Sequence, residues 1–201
     1  MRKITLLILG LVLVFNLSCK KDTKDNTEIT DDNTIESVES TVEESATYAN
    51  KDGKITVKLE PKSGSDVSGN IVFKQSGDVV QMVAVMSGLS EGNHAIHIHE
   101  KADCSSDDGK STGGHWNPMG QPHGKFGNAK GYHKGDIGNF QANDKGQGTM
   151  TFVTKEWCIG CGDPQKDILG KAVIVHQGVD DFVTQPTGAA GGRVSCGGII
   201  E

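Results

Sequence analysis

The chain has 201 residues, a formal net charge of −6, 27 glycines and only 5% aromatic residues. The acidic balance argues against a nucleic-acid partner, which would require a basic face. High glycine with few aromatics points to many turns and small-residue packing, as in an all-β fold.

The N-terminus reads as a targeting segment. Arg2 and Lys3 form a basic start, and an apolar run follows from Ile4 to Leu17. That run is too short to span a bilayer, which takes about 20 apolar residues, and has the form of a secretory signal. It ends at Asn16-Leu17-Ser18-Cys19, which resembles a bacterial lipobox, although an aliphatic residue is usual where Asn16 stands. This reading makes residues 1–18 a lipoprotein signal peptide and Cys19 the lipidated first residue of the mature protein. The plainer alternative is an ordinary signal with an incidental cysteine. Residues 20–50 are polar and acidic without sustained periodicity, so 19–50 is expected to be a lipidated cysteine with a disordered tether. The expected location is the cell envelope, periplasm or surface, with the chain held on a bacterial membrane by membrane lipid at its N-terminal anchor. Residues 51–201 remain as one domain with a single core.

Strand signals follow in order. Lys54–Leu59, Gly69–Lys74 and Val79–Met86 come first, the last two joined by a Ser76-Gly77-Asp78 turn. Asn93–His99 alternates strictly. Residues 100–135 show no periodicity and are rich in Gly, Ser, Asp and Lys, and so long a loop in a compact domain is usually functional. Ile137–Gln141, Gly148–Val153, Ala172–His176 and Val194–Ile199 complete eight short strands. With no amphipathic helix and no internal repeat, this pattern predicts an all-β antiparallel sandwich or flattened barrel.

All seven histidines lie between His94 and His176. His97 and His99 alternate on one strand, so both reach the same side. An isolated pair at this spacing is more often two histidines on a polar strand face. The loop changes that reading, because His115, His123, His133 and Asp136 offer three imidazoles and a carboxylate, a donor set that suits tetrahedral zinc. Imidazole also suits copper, which heads the divalent affinity order. A histidine has two ring nitrogens, so one shared ring would join two sites.

At this point the sequence resembles the copper/zinc superoxide dismutase family. The resemblance rests on GNHAIHIHEKADC (92–104), GGHWNP (113–118), His123-Gly124, HKGDIGN (133–139), AVIVHQGVDD (172–181) and GGRVSCGGI (191–199), and covers roughly residues 54–201. It implies an eight-stranded antiparallel Greek-key sandwich or flattened barrel with a long metal-binding loop. By the same resemblance, His97, His99, His115 and His176 would hold copper, and His115, His123, His133 and Asp136 would hold zinc, with His115 shared. Asp180 would hydrogen-bond ligand histidines of both sites. Arg193 would stand beside the copper and orient superoxide anion. Cys104 and Cys196 would form the family disulfide. The implied reaction converts superoxide to oxygen and hydrogen peroxide by a one-electron copper cycle, with His115 leaving copper on reduction and carrying a proton. An antioxidant role in the envelope follows. His94 is expected on the same alternation as the ligands, but it is left over and reads as a hydrogen-bonded structural histidine.

Two departures stand out. The chain passes from Asp180 to Arg193 through a short stretch with no lysine and, after Asp181, no acid, so the loop that steers the anion in eukaryotic members is reduced. Lys101, Lys110, Lys125, Lys130 and Lys134 could replace it, or could simply form solvated surface. Cys158 and Cys161 form a CIGC motif outside the family pattern. A local disulfide is the preferred reading, with a redox-active pair and transient copper capture as alternatives. A homodimer is an open option. Two other functions compete with dismutation: metal storage or delivery, which has no use for Arg193, and an anchored interaction module, which has no use for the full donor set.

Overall fold

The computed structural model describes residues 52–201, and the expectations for the signal peptide, Cys19 and the tether lie outside the described residues. The eight strands are β1 (Gly53–Pro61), β2 (Ser68–Ser76), β3 (Val79–Ser87), β4 (Gly92–His99), β5 (Asp136–Ala142), β6 (Gly148–Thr154), β7 (Ala172–His176) and β8 (Arg193–Gly198). A single 3₁₀ turn, Lys110–Thr112, interrupts the long loop. Among the described residues, no helix is long and apolar enough to cross a membrane.

The strands close into a barrel in the order β1-β2-β3-β6-β5-β4-β7-β8. The neighbours β3/β6 and β4/β7 are not consecutive in sequence, which gives the expected Greek-key crossings. Pairing is uneven. β2 and β3 pair over their full length, whereas β5 meets β6 only at Ala142↔Gly148, and β1 meets β8 only at Glu60↔Cys196 and Pro61↔Ser195. The barrel is therefore two four-stranded sheets, β1-β2-β3-β6 and β5-β4-β7-β8, joined along thin seams.

The first sheet follows simple alternation. Ile55, Val57 and Leu59 of β1 point inward, while Lys54, Thr56 and Lys58 face solvent. Ile71 and Phe73 of β2 and Val80, Met82, Ala84 and Met86 of β3 extend the same core. Burying each large side chain contributes about 1.5–3 kcal/mol. The second sheet is covered on both faces. Ile96 and Ile98 of β4 and Val173 and Val175 of β7 join the core, while the outer faces of β4 and β7 are also buried. The long loop provides that cover. It is stitched along β4, with the Trp116 N–H donating to the Ile98 carbonyl (2.8 Å), Glu100 N–H to Gly114 (3.1 Å) and Lys101 N–H to Thr112 (3.0 Å). Cys104 and Cys196 form a disulfide that ties the loop to β8, against a small cluster of Ala172, Ile174 and Cys196.

Candidate metal centre

The covered outer face of the second sheet gathers the imidazoles. His97 and His99 project from β4, and His176 ends the adjacent strand β7. The loop brings His115 alongside His99 through an isolated antiparallel bridge. His123 and His133 come from the same loop, and Asp136 opens β5. Two groups result: His97, His99, His115 and His176, and His115, His123, His133 and Asp136. Within each group, one donor atom per residue lies within 4.8 Å of the others. The His115 ring is common to both, with its centroid 4.0 Å from His97, 5.0 Å from His99, 5.3 Å from His123 and 5.6 Å from His133.

The chemistry of these rings is incomplete without a cation. Among the described residues, the buried side-chain polar atoms without a hydrogen-bond partner are Nδ1 of His97, His123 and His133 and Nε2 of His99, His115 and His176. Buried polar atoms are normally satisfied, and leaving one bare costs about 1–3 kcal/mol. His123 Nδ1 and His133 Nδ1 lie 3.0 Å and 3.2 Å from the Asp136 carboxylate, close enough for charge attraction but without hydrogen-bond alignment. The donor set of imidazoles and one carboxylate fits copper and zinc.

The opposite nitrogens explain why these atoms are presented. His99 Nδ1 donates to the Gly113 carbonyl at 3.0 Å, which leaves Nε2 as the lone-pair nitrogen. Asp180 spans the groups: Oδ2 accepts from His97 Nε2 and Oδ1 from His123 Nε2, both at 2.9 Å. One carboxylate thus fixes the tautomer of a ring in each group. Two further residues hold this arrangement, and the sequence reading missed both. Asn139 pairs with the backbone of Asp180, its amide oxygen accepting the Asp180 N–H and its Nδ2 donating to the Asp180 carbonyl, each at 2.8 Å. Gln185 clamps the backbone of His123 in the same way, at 2.8 and 2.9 Å. An amide side chain, whether on a strand like Asn139 or in a loop like Gln185, gives no sequence signal of such a role.

Gly188 lies against this bridge. Its φ is +66°, and a Cβ there would sit 1.8 Å from Asp180 Oδ1 and 2.7 Å from His123 Nε2. A Gly188→Ala change is expected to displace Asp180 and weaken zinc binding by about 10–100-fold, the range for losing an outer hydrogen-bond partner of a metal ligand. Competition with a chromogenic chelator measures it, and unchanged affinity would refute the placement.

Charge is distributed unequally. Burial pushes His115 down to about 4, despite the opposing pull of Asp136. Burial also holds His99 and His176 well below the ordinary 6.5, helped by neighbouring charged groups. His123 goes the other way: burial opposes its charge, but Asp136 and Asp180 outweigh it and raise it to about 9. Burial likewise opposes the charge of those two carboxylates, but histidine N–H groups hold both well below the usual range. These shifts give a pH prediction for the metal-free chain. Below 6.5 the unfolded chain protonates His99, His115 and His176 while the fold keeps them neutral, so stability falls as pH drops below 6.5, for His115 down to about 4. Above 6.5 the benefit of charged His123 is lost as pH rises through about 9. The urea midpoint should therefore be highest near pH 6.5, and a midpoint still rising at pH 9 would contradict it.

Arg193 opens β8 and pairs across the sheet with His176. Its Nη1 donates to the Gly109 carbonyl (2.9 Å) and to Thr112 Oγ1 (3.0 Å) in the 3₁₀ turn. Among the described residues, the guanidinium's hydrogen bonds to protein all start from Nη1, which leaves Nη2 and Nε without protein partners. The candidate steering lysines divide. Lys110 pairs with Asp108 and Lys134 with Glu156, whereas Lys101, Lys125 and Lys130 are exposed. His94 does not share the ligands' face. It has the parity of Ile96 and Ile98, stacks on Phe140 with centroids 5.9 Å apart, and bonds to the carbonyls of His176 and Ser90 at 2.9 Å.

Fold and donor set define a class: β-barrel proteins whose long loop folds over one sheet to build two adjoining cation sites. Residues 67–199 match the family described as copper/zinc superoxide dismutase, and the chain belongs to that family. It is 33% identical over 144 residues to an extracellular Cu-Zn superoxide dismutase of Caenorhabditis elegans, a match that covers 69% of this chain and 63% of that relative's length. A crystal structure of a double mutant of a SOD-like protein from Bacillus subtilis is similar with a TM-score of 0.65 and 32% identity, covering 73% of this chain and 97% of that one.

Proposed function

We propose that this chain dismutates superoxide to oxygen and hydrogen peroxide. His97, His99, His115 and His176 would hold copper, and His115, His123, His133 and Asp136 would hold zinc. The observation that carries this reading is the set of six buried ring nitrogens without partners, one on each of six histidines, with the His115 ring between the groups. Family membership supports the same assignment. Copper, when bound, supplies a one-electron couple that takes an electron from one superoxide and returns it to a second, while zinc is redox-inert. The chain's own residues do the rest. His115 presents Nε2 to the copper group and Nδ1 to the zinc group, so it can take a proton at Nε2 and pass it to the reduced oxygen species. Asp180 and Gly113 fix the rings in the tautomers that face the metals. Arg193, permanently charged and with two donor nitrogens unpartnered among the described residues, orients the superoxide anion. The presence of that cation favours turnover over metal storage.

The two disulfides and the extracellular relative favour a location outside the cytoplasm. The finer proposal is a lipid anchor at Cys19 in a bacterial envelope, and a homodimer remains part of it. Loading the purified chain with one copper and one zinc and following superoxide decay by pulse radiolysis tests the activity. Decay no faster than with the metal-free chain would refute it.

A further inference from the structure

The loop from β6 to β7 holds a third cluster that dismutation does not use. Cys158, Cys161 and Asp167 bring two sulfurs and a carboxylate within 4.8 Å of one another, and the sulfurs are joined as a disulfide. As a staple this bond does little. It closes a loop of sequence separation 3, against 92 for Cys104–Cys196. Loop-closure entropy grows with the logarithm of ring size, so the short ring contributes less than half of what the long one does.

The loop also keeps its shape by other means. Asp167 accepts the N–H groups of Gly160 (3.0 Å), Gly162 (2.8 Å) and Leu169 (3.0 Å). Cys158 N–H donates to the Lys166 carbonyl (2.8 Å), and Ile168 N–H donates back to the Cys158 carbonyl (3.1 Å). Ile159 N–H is held by buried Gln75 (2.7 Å), and the Trp157 indole N–H donates to the Lys134 carbonyl (2.9 Å). None of these bonds involves sulfur. Opening the disulfide would leave two thiols already placed side by side. Cys161 and Asp167 are partly exposed, and space beside Gly162 is open, so solvent species reach the pair. The Asp163 N–H points at Cys161 Sγ (3.4 Å), a donor that favours thiolate.

We propose that Cys158 and Cys161 form an exchangeable disulfide whose reduced form binds one Cu(I) ion, with Asp167 as a flanking carboxylate. In the reductive step a dithiol gives two electrons and two protons: its own sulfurs close to a disulfide, the Cys158–Cys161 bond breaks, and each sulfur takes a proton. Binding Cu(I) then releases those protons as both sulfurs become thiolates. Thiolate donors select Cu(I) and zinc. Zinc in a protein site takes four ligands, whereas this cluster offers two sulfurs and a carboxylate whose oxygens already accept three N–H bonds. A low-coordinate soft cation is the fit.

The test uses the full chain with its histidine sites filled by copper and zinc. It is treated with dithiothreitol, desalted without oxygen, and titrated with Cu(I) buffered by bathocuproine disulfonate, beside the double variant Cys158→Ser/Cys161→Ser. Cys19 is common to both chains and cancels. One further equivalent of Cu(I) in the native chain, absent from the variant and from the unreduced protein, is expected. Alkylation with mass mapping should find Cys158 and Cys161 modified while Cys104–Cys196 stays closed. No further copper, equal copper in the variant, uptake of zinc in its place, or opening of Cys104–Cys196 at the same dithiol concentration would each overturn the proposal.

Discussion

Replacing His115 with alanine is expected to lower superoxide turnover by about 10²–10⁴-fold, the range for losing a positioned proton donor. The same change removes a donor from both metal groups. His115 Nδ1 lies 2.8 Å from Asp136, and its unpartnered Nε2 faces the copper group. Burial keeps the ring neutral near pH 7, with its lone pair available to a cation. Alanine therefore leaves three donors on each side and no ring between them. Metal content by mass spectrometry separates the two consequences. A variant that retains both metals and the native rate would exclude His115 from the reaction. A variant that retains both metals and loses the rate would isolate the proton-carrying role.

Arg193→Ala should cost about 10²-fold, as expected when a preorganised charge aimed at a reacting anion is removed. Copper content should not change, because the guanidinium offers no lone pair. Arg193 also anchors the 3₁₀ turn through Gly109 and Thr112, so the turn itself could shift. Arg193→Lys is the control: it keeps the charge but not the planar fork, and should recover part of the rate. Native activity in the alanine variant would remove Arg193 from the anion site. A loss of copper with the rate would recast it as a support for the loop.

Much of this was legible in the sequence. Strict alternation in Lys54–Leu59 and Asn93–His99 marked the strands, and all eight expected strands are present. Their ends moved outward where pairing ignores polarity, as at Glu60 and Pro61, which pair with β8. Arg193 falls inside β8 rather than before it, which sets it opposite His176. The donor residues were visible because imidazole and carboxylate chemistry is specific to residue type. Their support was not. Asn139, Gln185 and Gly188 act on backbone atoms or by having no side chain, and nothing in their identity announces it. The face of His94 was a different kind of miss, since its even number already places it with Ile96 and Ile98.

The division between the two sheets has an evolutionary reading. His97, His99, Asp136, His176 and Arg193 all belong to β5-β4-β7-β8, and His115, His123, His133 and Asp180 sit in loops joining those strands. The sheet β1-β2-β3-β6 contributes none of them. It acts as a hydrophobic floor whose inward residues are mostly apolar, with buried Gln75 and Thr154 as the polar exceptions. Drift should therefore concentrate there: a saturation library selected for metal retention would accept most changes on the outer face of β1, β2 and β3 and reject most on β4 and β7. Insertions and fusion partners are best placed at the Ser76–Val79 turn, which joins two strands that carry none of these residues.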